Sequence, residues 1–241
     1  MKWNKTHIFL AILLPIQILM LQVFAQNPAF IEQYYSNSIY PCISSFFRIL
    51  FGWISFSIGD VLIAFGLFVF IRFLVRLIRT RLKNLIPKII HFVAIFSVIY
   101  FCFYLFWGLN YYREPLSKNL GYDQSKYTTE QLAKTTKHII EKLNYYQLKI
   151  TKNDTLTVEN PYHRKEMYIM AVVGYDNLSK EYPQLTYQFS SVKSSLMSSL
   201  QSYNGTSGYL NPLTGEAQVN ENVPKTSYPT TTCHEMAHQI G

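Results

Sequence analysis

The chain has 241 residues, a formal net charge of +8 and 49% apolar side chains, with only 15% charged. That composition excludes a single ordinary soluble globule, in which charged residues make up about a quarter of the chain. The charge is lopsided, which argues against a nucleic-acid partner: residues 1–109 carry nine Lys/Arg against two acids, and residues 110–241 carry thirteen against twelve.

Three apolar segments come first: residues 7–25 (HIFLAILLPIQILMLQVFA), 53–77 (WISFSIGDVLIAFGLFVFIRFLVRL) and 89–109 (IIHFVAIFSVIYFCFYLFWGL). Each is near the roughly 20 residues that carry a helix across a bilayer core. The first also fits a secretory signal, because Lys2 and Lys5 precede it and it ends in VFAQ, with cleavage after Ala25. The second has Asp60 near its start, and Arg72 and Arg76 near its end can snorkel into the following loop. The third has His91 near one end and Tyr100, Tyr104 and Trp107 toward the other, where aromatic rings favour the interface. Six of the nine basic residues fall between Arg72 and Lys88. The positive-inside rule therefore places that loop in the cytoplasm, and residues 26–52 and everything after Asn110 outside.

Cys42, Cys102 and Cys233 make no disulfide framework. Cys233 directly precedes His234, but adjacent helix positions diverge, so it reads as packing rather than as a ligand. Residues 110–127, with Pro115 and Gly121, read as a linker. Thr128 and Gln131 have capping-box spacing, followed at helical intervals by Leu132, Ile139, Ile140 and Leu143, with Lys134, Lys137, Glu141 and Lys142 as a solvated face. A second helix is expected from Asn160, with Pro161 in its first turn and Met167, Met170, Ala171, Gly174, Tyr175 and Leu178 on its buried side. His138 and His163 have no partner at ligand spacing and read as surface or packing histidines. Further on, Gly205, Gly208, Asn211-Pro212 and Thr214-Gly215 are turn signals, and GEAQVN (215–220) alternates as a short strand.

Chemistry concentrates in YPTTTCHEMAHQIG, residues 228–241. His234 and His238 are four apart, hence one turn apart on the same helix face, where two imidazoles can bind one Zn²⁺. Glu235 beside them is the expected general base of an H-E-x-x-H metallopeptidase. The metal lowers the pKa of a water, and the carboxylate takes its proton during attack on a carbonyl and hands it to the leaving amine. Pro229 and the three threonines suit a helix start. GEAQVN, ahead of this helix, is the expected edge strand that receives a substrate backbone by strand addition. Zinc sites use three or four protein ligands. The third is therefore expected beyond Gly241, as a downstream histidine or a glutamate on a later helix, and the chain reads as truncated at its C-terminus.

The stretches EQYYSNSIYPCIS, FSIGDVL, WGLNYYREPL, SGYLNPLTGEAQVN and TTTCHEMAHQIG resemble a bacterial family catalogued as domain of unknown function 3810. The resemblance covers most of the chain from about residue 30. It implies membrane segments followed by a zincin-like region, with a glutamate ligand from an acidic stretch that follows Gly241 in the family. This sequence lacks that stretch, so the chain as written is expected to be inactive. The expected fold class is α+β, mostly α: a membrane region at 1–109 with three transmembrane helices, a linker at 110–127, and an incomplete extracytoplasmic zincin-like domain at 128–241. The expected protein is a multi-pass metallopeptidase of the bacterial inner membrane that uses Zn²⁺ to cleave envelope peptides or proteins. The competing expectation is a non-catalytic membrane protein whose zincin-like domain binds a partner or serves as a scaffold. A metal helix within the bilayer is disfavoured, because about 120 residues of charged, turn-rich chain separate the last apolar run from His234.

Overall fold

Helix α1 (Lys5–Ala25) opens on Asn4, whose side chain accepts from the Thr6 N–H (3.0 Å). The computed structural model describes residues 4–122 and 126–241. After α1 the chain turns through α2 (Pro28–Phe30), a π-helical run Ile31–Ile39 and α3 (Tyr40–Gly52). Residues 26–52, which the topology treats simply as an outside loop, are thus mostly helical. Helix α4 (Ile58–Arg79) begins five residues after the apolar run does, because Ser57 supplies the cap oxygen for the Asp60 N–H (2.9 Å). Helix α5 (Leu85–Phe106) completes the apolar part. Helices α1, α4 and α5 are 21, 22 and 22 residues long and apolar enough to cross a membrane. At 1.5 Å per residue each spans about 32 Å, close to a bilayer core.

Two compact units form, Met1–Glu114 with Arg164–Gly241, and Pro115–His163. Composition draws its line near residue 109, whereas packing joins the apolar helices to the histidine helix and sets 115–163 apart. That smaller unit holds α6 (Leu116–Asn119) and α7 (Thr129–Thr151). The capping box is formed: Gln131 N–H donates to Thr128 Oγ1 (3.2 Å) and Thr128 N–H donates to Gln131 Oε1 (2.8 Å). The side chains of Leu132, Ile139, Ile140 and Leu143 are exposed, and so is His138.

In the larger unit, α8 (Arg164–Leu178) starts four residues later than the sequence suggests. Asn160 Oδ1 accepts from the Tyr162 N–H (3.0 Å), two residues on. That local turn competes with helix capping, as Asn side chains commonly do. The buried side of α8 is the narrow stripe Met167, Ala171 and Tyr175, while Met170 and Leu178 are exposed. Then follow β1 (Val192–Ser194), α9 (Ser198–Asn204), β2 (Gly208–Asn211), β3 (Glu216–Val219) and α10 (Tyr228–Ile240). The sheet order is β1-β3-β2, with β1 parallel and β2 antiparallel to β3. Here the edge-strand expectation for GEAQVN fails. β3 is the central strand, paired on both sides, so its backbone has no free edge to offer a substrate.

The two faces of the sheet do different work. Because side chains alternate, the register puts Lys193, Tyr209, Asn211, Glu216 and Gln218 on one face, and Val192, Ser194, Ala217 and Val219 on the other. The apolar face packs on α8 and α10: Val192 and Val219 join Met167 and Tyr228, and Ser194 Oγ lies 3.2 Å from Tyr168 Oη. The polar face receives the N-terminus of α4. Glu216 accepts from the N–H groups of Ile58 (3.2 Å) and Gly59 (2.5 Å), and Lys193, itself buried, pairs with Glu216 and donates to Phe51 O (2.8 Å). Asp60 accepts from Leu196 N–H (2.6 Å), Ser195 Oγ (3.0 Å) and Tyr209 Oη. A carboxylate at a helix N-terminus satisfies otherwise unpaired N–H groups and the positive end of the helix dipole. Gly59 permits this approach, since a Cβ there would lie 2.5 Å from Asn211 Nδ2. The sheet is thereby bolted to the first turn of an apolar helix.

Candidate metal centre

Helix α10 has Pro229 in its first turn, where a missing N–H is harmless. Its buried stripe is Tyr228, Thr232, Glu235, Met236 and Gln239. Met236 packs with Ala171, Tyr175 and Tyr187, and Cys233 packs partly buried against the same cluster. Burial raises the Cys233 thiol pKa, consistent with packing rather than reactivity.

His234 and His238 leave this stripe on the same side. Their Nε2 atoms are 3.1 Å apart and their rings are perpendicular. Two imidazoles bonded to one tetrahedral Zn²⁺ at about 2.0–2.1 Å would place their nitrogens roughly 3.3 Å apart. The pair therefore fits a shared metal with almost no adjustment. Burial, and then the neighbouring His234, lower the His238 pKa, which favours the neutral ring that can ligate. Among the described residues, no group of three or more His, Cys, Asp or Glu forms around them.

Glu235 lies between the two histidines in sequence and turns toward the sheet. It is buried, and its Oε2 has no hydrogen-bond partner among the described residues. Desolvation pushes its carboxyl up to about 7. A buried carboxylate oxygen without a donor is rare and needs a reason beyond packing. Gly208 of β2 makes the room: a Cβ there would lie 2.8 Å from Glu235 Cγ and Oε1 and 2.7 Å from Gln218 O. The sequence shows Gly208 only as a turn signal, because the strand that crowds Glu235 is 27 residues away along the chain.

The turn that carries His238 is held from outside. Trp107 Nε1–H donates to His238 O (2.8 Å), and its ring meets the His238 ring edge-on, 5.8 Å between centroids. Tyr40 Oη donates to the carbonyls of His238 and Gln239 (3.1 Å each). Arg113 donates to Gly241 O (2.6 Å) and grips both oxygens of Glu32 (2.8 and 2.6 Å). The Gln239 side chain bridges the carbonyls of Ser191 (3.0 Å) and Gly215 (2.6 Å) and accepts from Tyr187 Oη (2.5 Å). Tyr40, Trp107 and Arg113 carry no ligand spacing, and so the sequence did not single them out as site residues. The Trp107 and Tyr40 contacts to His238 span 131 and 198 residues of chain.

The π-helical run explains how Tyr40 arrives there. Tyr35 Oη donates to Leu105 O (2.9 Å) and Ser36 Oγ to Asn110 Oδ1 (2.8 Å), which fixes the run against the end of α5. Three of the five stretches that carry the family resemblance thus meet at one place: EQYYSNSIYPCIS and WGLNYYREPL clamp the last turn of TTTCHEMAHQIG.

No curated protein and no solved structure matches the chain significantly. The profile of the family described as "Protein of unknown function (DUF3810)" matches residues 35–241, which include every side chain named at this centre except Glu32, and the chain belongs to that family.

Proposed function

We propose that the protein is a membrane-anchored, zinc-dependent metallopeptidase with a zincin-like domain, acting on peptides or proteins of the cell envelope. The observation that carries this reading is the convergence of the His234 and His238 Nε2 atoms, 3.1 Å apart, next to the buried Glu235, whose Oε2 has no hydrogen-bond partner among the described residues. A bound Zn²⁺ would supply Lewis acidity, polarising a peptide carbonyl and acidifying a water. His234 and His238 would hold the metal, and Trp107 and Tyr40 fix the turn that carries His238. Glu235 would take the proton of the attacking water on its carboxylate and deliver it to the leaving nitrogen. Burial raises this carboxyl to about 7 in the metal-free protein, and a neighbouring Zn²⁺ would bring it back down and leave the carboxylate as the proton acceptor.

With β3 central, β2 is the sheet edge beside Glu235, and an extended substrate backbone would pair there. Trp107 follows α5 directly, so the site lies at the end of a helix long enough to span a membrane. This supports an envelope substrate. The basic residues from Arg72 to Lys88 sit at the opposite end of α4 and α5, which supports an inner-membrane protein whose site faces outward.

The test is hydrolysis of a quenched-fluorescent peptide library by the full-length protein in detergent micelles. Cleavage is expected to stop with a metal chelator and to return on adding Zn²⁺. Cleavage that persists after complete metal removal would contradict the zinc mechanism.

A further inference from the structure

At the far end of the apolar helices, α4 and α5 are joined by a loop of unusual backbone. Arg81, Leu82 and Asn84 all adopt positive φ (47°, 59° and 54°). For residues other than glycine the left-handed region is sterically disfavoured. The turn is nevertheless well bonded, with Arg81 N–H to Ile78 O (2.9 Å), Lys83 N–H to Thr80 O (2.9 Å) and Lys88 Nζ to Thr80 Oγ1. Strain that the surroundings maintain is a recurrent mark of binding sites.

This loop borders an open, shallow cavity of about 650 Å³ lined by Arg76, Arg79, Thr80, Arg81, Lys83, Asn84 and Lys88. Five cations face it, and the sequence has no acidic residue between Asp60 and Glu114 to neutralise them. The dipole at the C-terminus of α4 offsets only about half a charge. The positive-inside rule accounts for cations in the loop, but not for their convergence on a concavity.

A second cavity of about 310 Å³ adjoins the first, sharing Arg76 and Lys88. Its other lining residues are Asn4 and His7 of the α1 end, Phe73 and Leu77 of α4, and His91 of α5. It exists because α1 and α5 pack along each other, with His7 and His91 in ring contact, whereas α4 meets α5 through Phe70 and Phe73 on Phe92 and leaves a gap beyond. A basic, open chamber thus adjoins a smaller groove where α1, α4 and α5 meet, with Phe73 and Leu77 as its apolar wall.

We infer that this paired cavity is a binding site for an anionic phospholipid, whose phosphodiester headgroup sits among Arg76, Arg79, Arg81, Lys83 and Lys88 and whose acyl chain enters the Phe73–Leu77 groove. The apolar groove decides for a lipid over free phosphate, since only a lipid fills both compartments. Basic pockets between transmembrane helices recognise such headgroups, and each Lys or Arg near an anionic surface adds to the attraction.

The experiment uses the full-length protein in neutral detergent. It is titrated with phosphatidylglycerol or phosphatidylcholine and read by lipid adducts in native mass spectrometry and by melting temperature. Phosphatidylglycerol is expected to bind at least about tenfold tighter than phosphatidylcholine. The exposed pair Arg79→Gln/Lys83→Gln should remove that preference without changing the melting temperature in neutral lipid. Lys134→Gln/Lys142→Gln, which removes the same charge from α7, should leave it intact. An equal response to both lipids, or a preference that survives Arg79→Gln/Lys83→Gln, overturns the site. Loss of the preference in both variants shows charge attraction alone and overturns it too. Displacement of phosphatidylglycerol by equimolar inorganic phosphate shows a free-anion site and overturns the lipid assignment.

Discussion

Glu235→Gln is expected to lower peptide hydrolysis by about 10²–10⁴-fold, the range for a removed general base, while bound zinc stays in place. Gln keeps the shape and loses only the proton-accepting oxygen, so packing against Gly208 is unchanged. Stability supplies a second readout in the metal-free protein. The folded carboxyl titrates at about 7, above its ordinary 4.5, so the folded state prefers the neutral form. Stability therefore falls as pH rises from 4.5 to 7 and stays low above it. At pH 8 the Gln variant escapes this penalty and should be more stable by roughly 1–3 kcal/mol, with the advantage gone below pH 4.5. A scaffold reading predicts instead that the full-length protein keeps its cellular role with Gln at 235. Retained hydrolysis by the variant sinks the mechanism.

The second large effect lies on the other face of the sheet. Glu216→Ala leaves Lys193 buried beside a single carbonyl and strips two N–H groups of α4 of their acceptor. Breaking a buried pair by removing one partner destabilises by about 3–5 kcal/mol. For a chain of this size that lowers the melting temperature by about 6–20 °C. The combined change Lys193→Met/Glu216→Ala should be milder than Glu216→Ala alone, because no charge is then left stranded. A Glu216→Ala protein melting within about 2 °C of the parent would show that the α4–sheet bolt contributes little. Since β3 also underlies α10, loss of this bolt should loosen the histidine helix as well.

The parts of the molecule written in local spacing were legible in the sequence. The Thr128–Gln131 capping box formed as spaced, the three apolar runs became long helices, and His234 and His238 share a face because four residues make about one turn. GEAQVN was legible as a strand, yet its central place was not. The order β1-β3-β2 depends on β1 pairing in parallel across 25 residues from Val192 to Ala217, which alternation within one segment cannot express. Asn160 carried a good helix-cap signal, but its side chain satisfied the nearer N–H of Tyr162 instead. The clamp of Tyr40, Trp107 and Arg113 was illegible for the same reason as the sheet order. Each residue is ordinary in its own window, and only the fold brings it to α10. Asp60 stood out as an acid in an apolar run. Its Ser195, Leu196 and Tyr209 partners, all more than 130 residues away, show why it is kept there.

The proposal that His234 and His238 hold zinc is decided by the metal content of the purified full-length protein, measured by inductively coupled plasma mass spectrometry. About one zinc per chain is expected, lost in His234→Ala and in His238→Ala and retained in Glu235→Gln. A protein that carries no zinc and takes up none from added Zn²⁺, or one that keeps its zinc after both histidines are replaced, would contradict it.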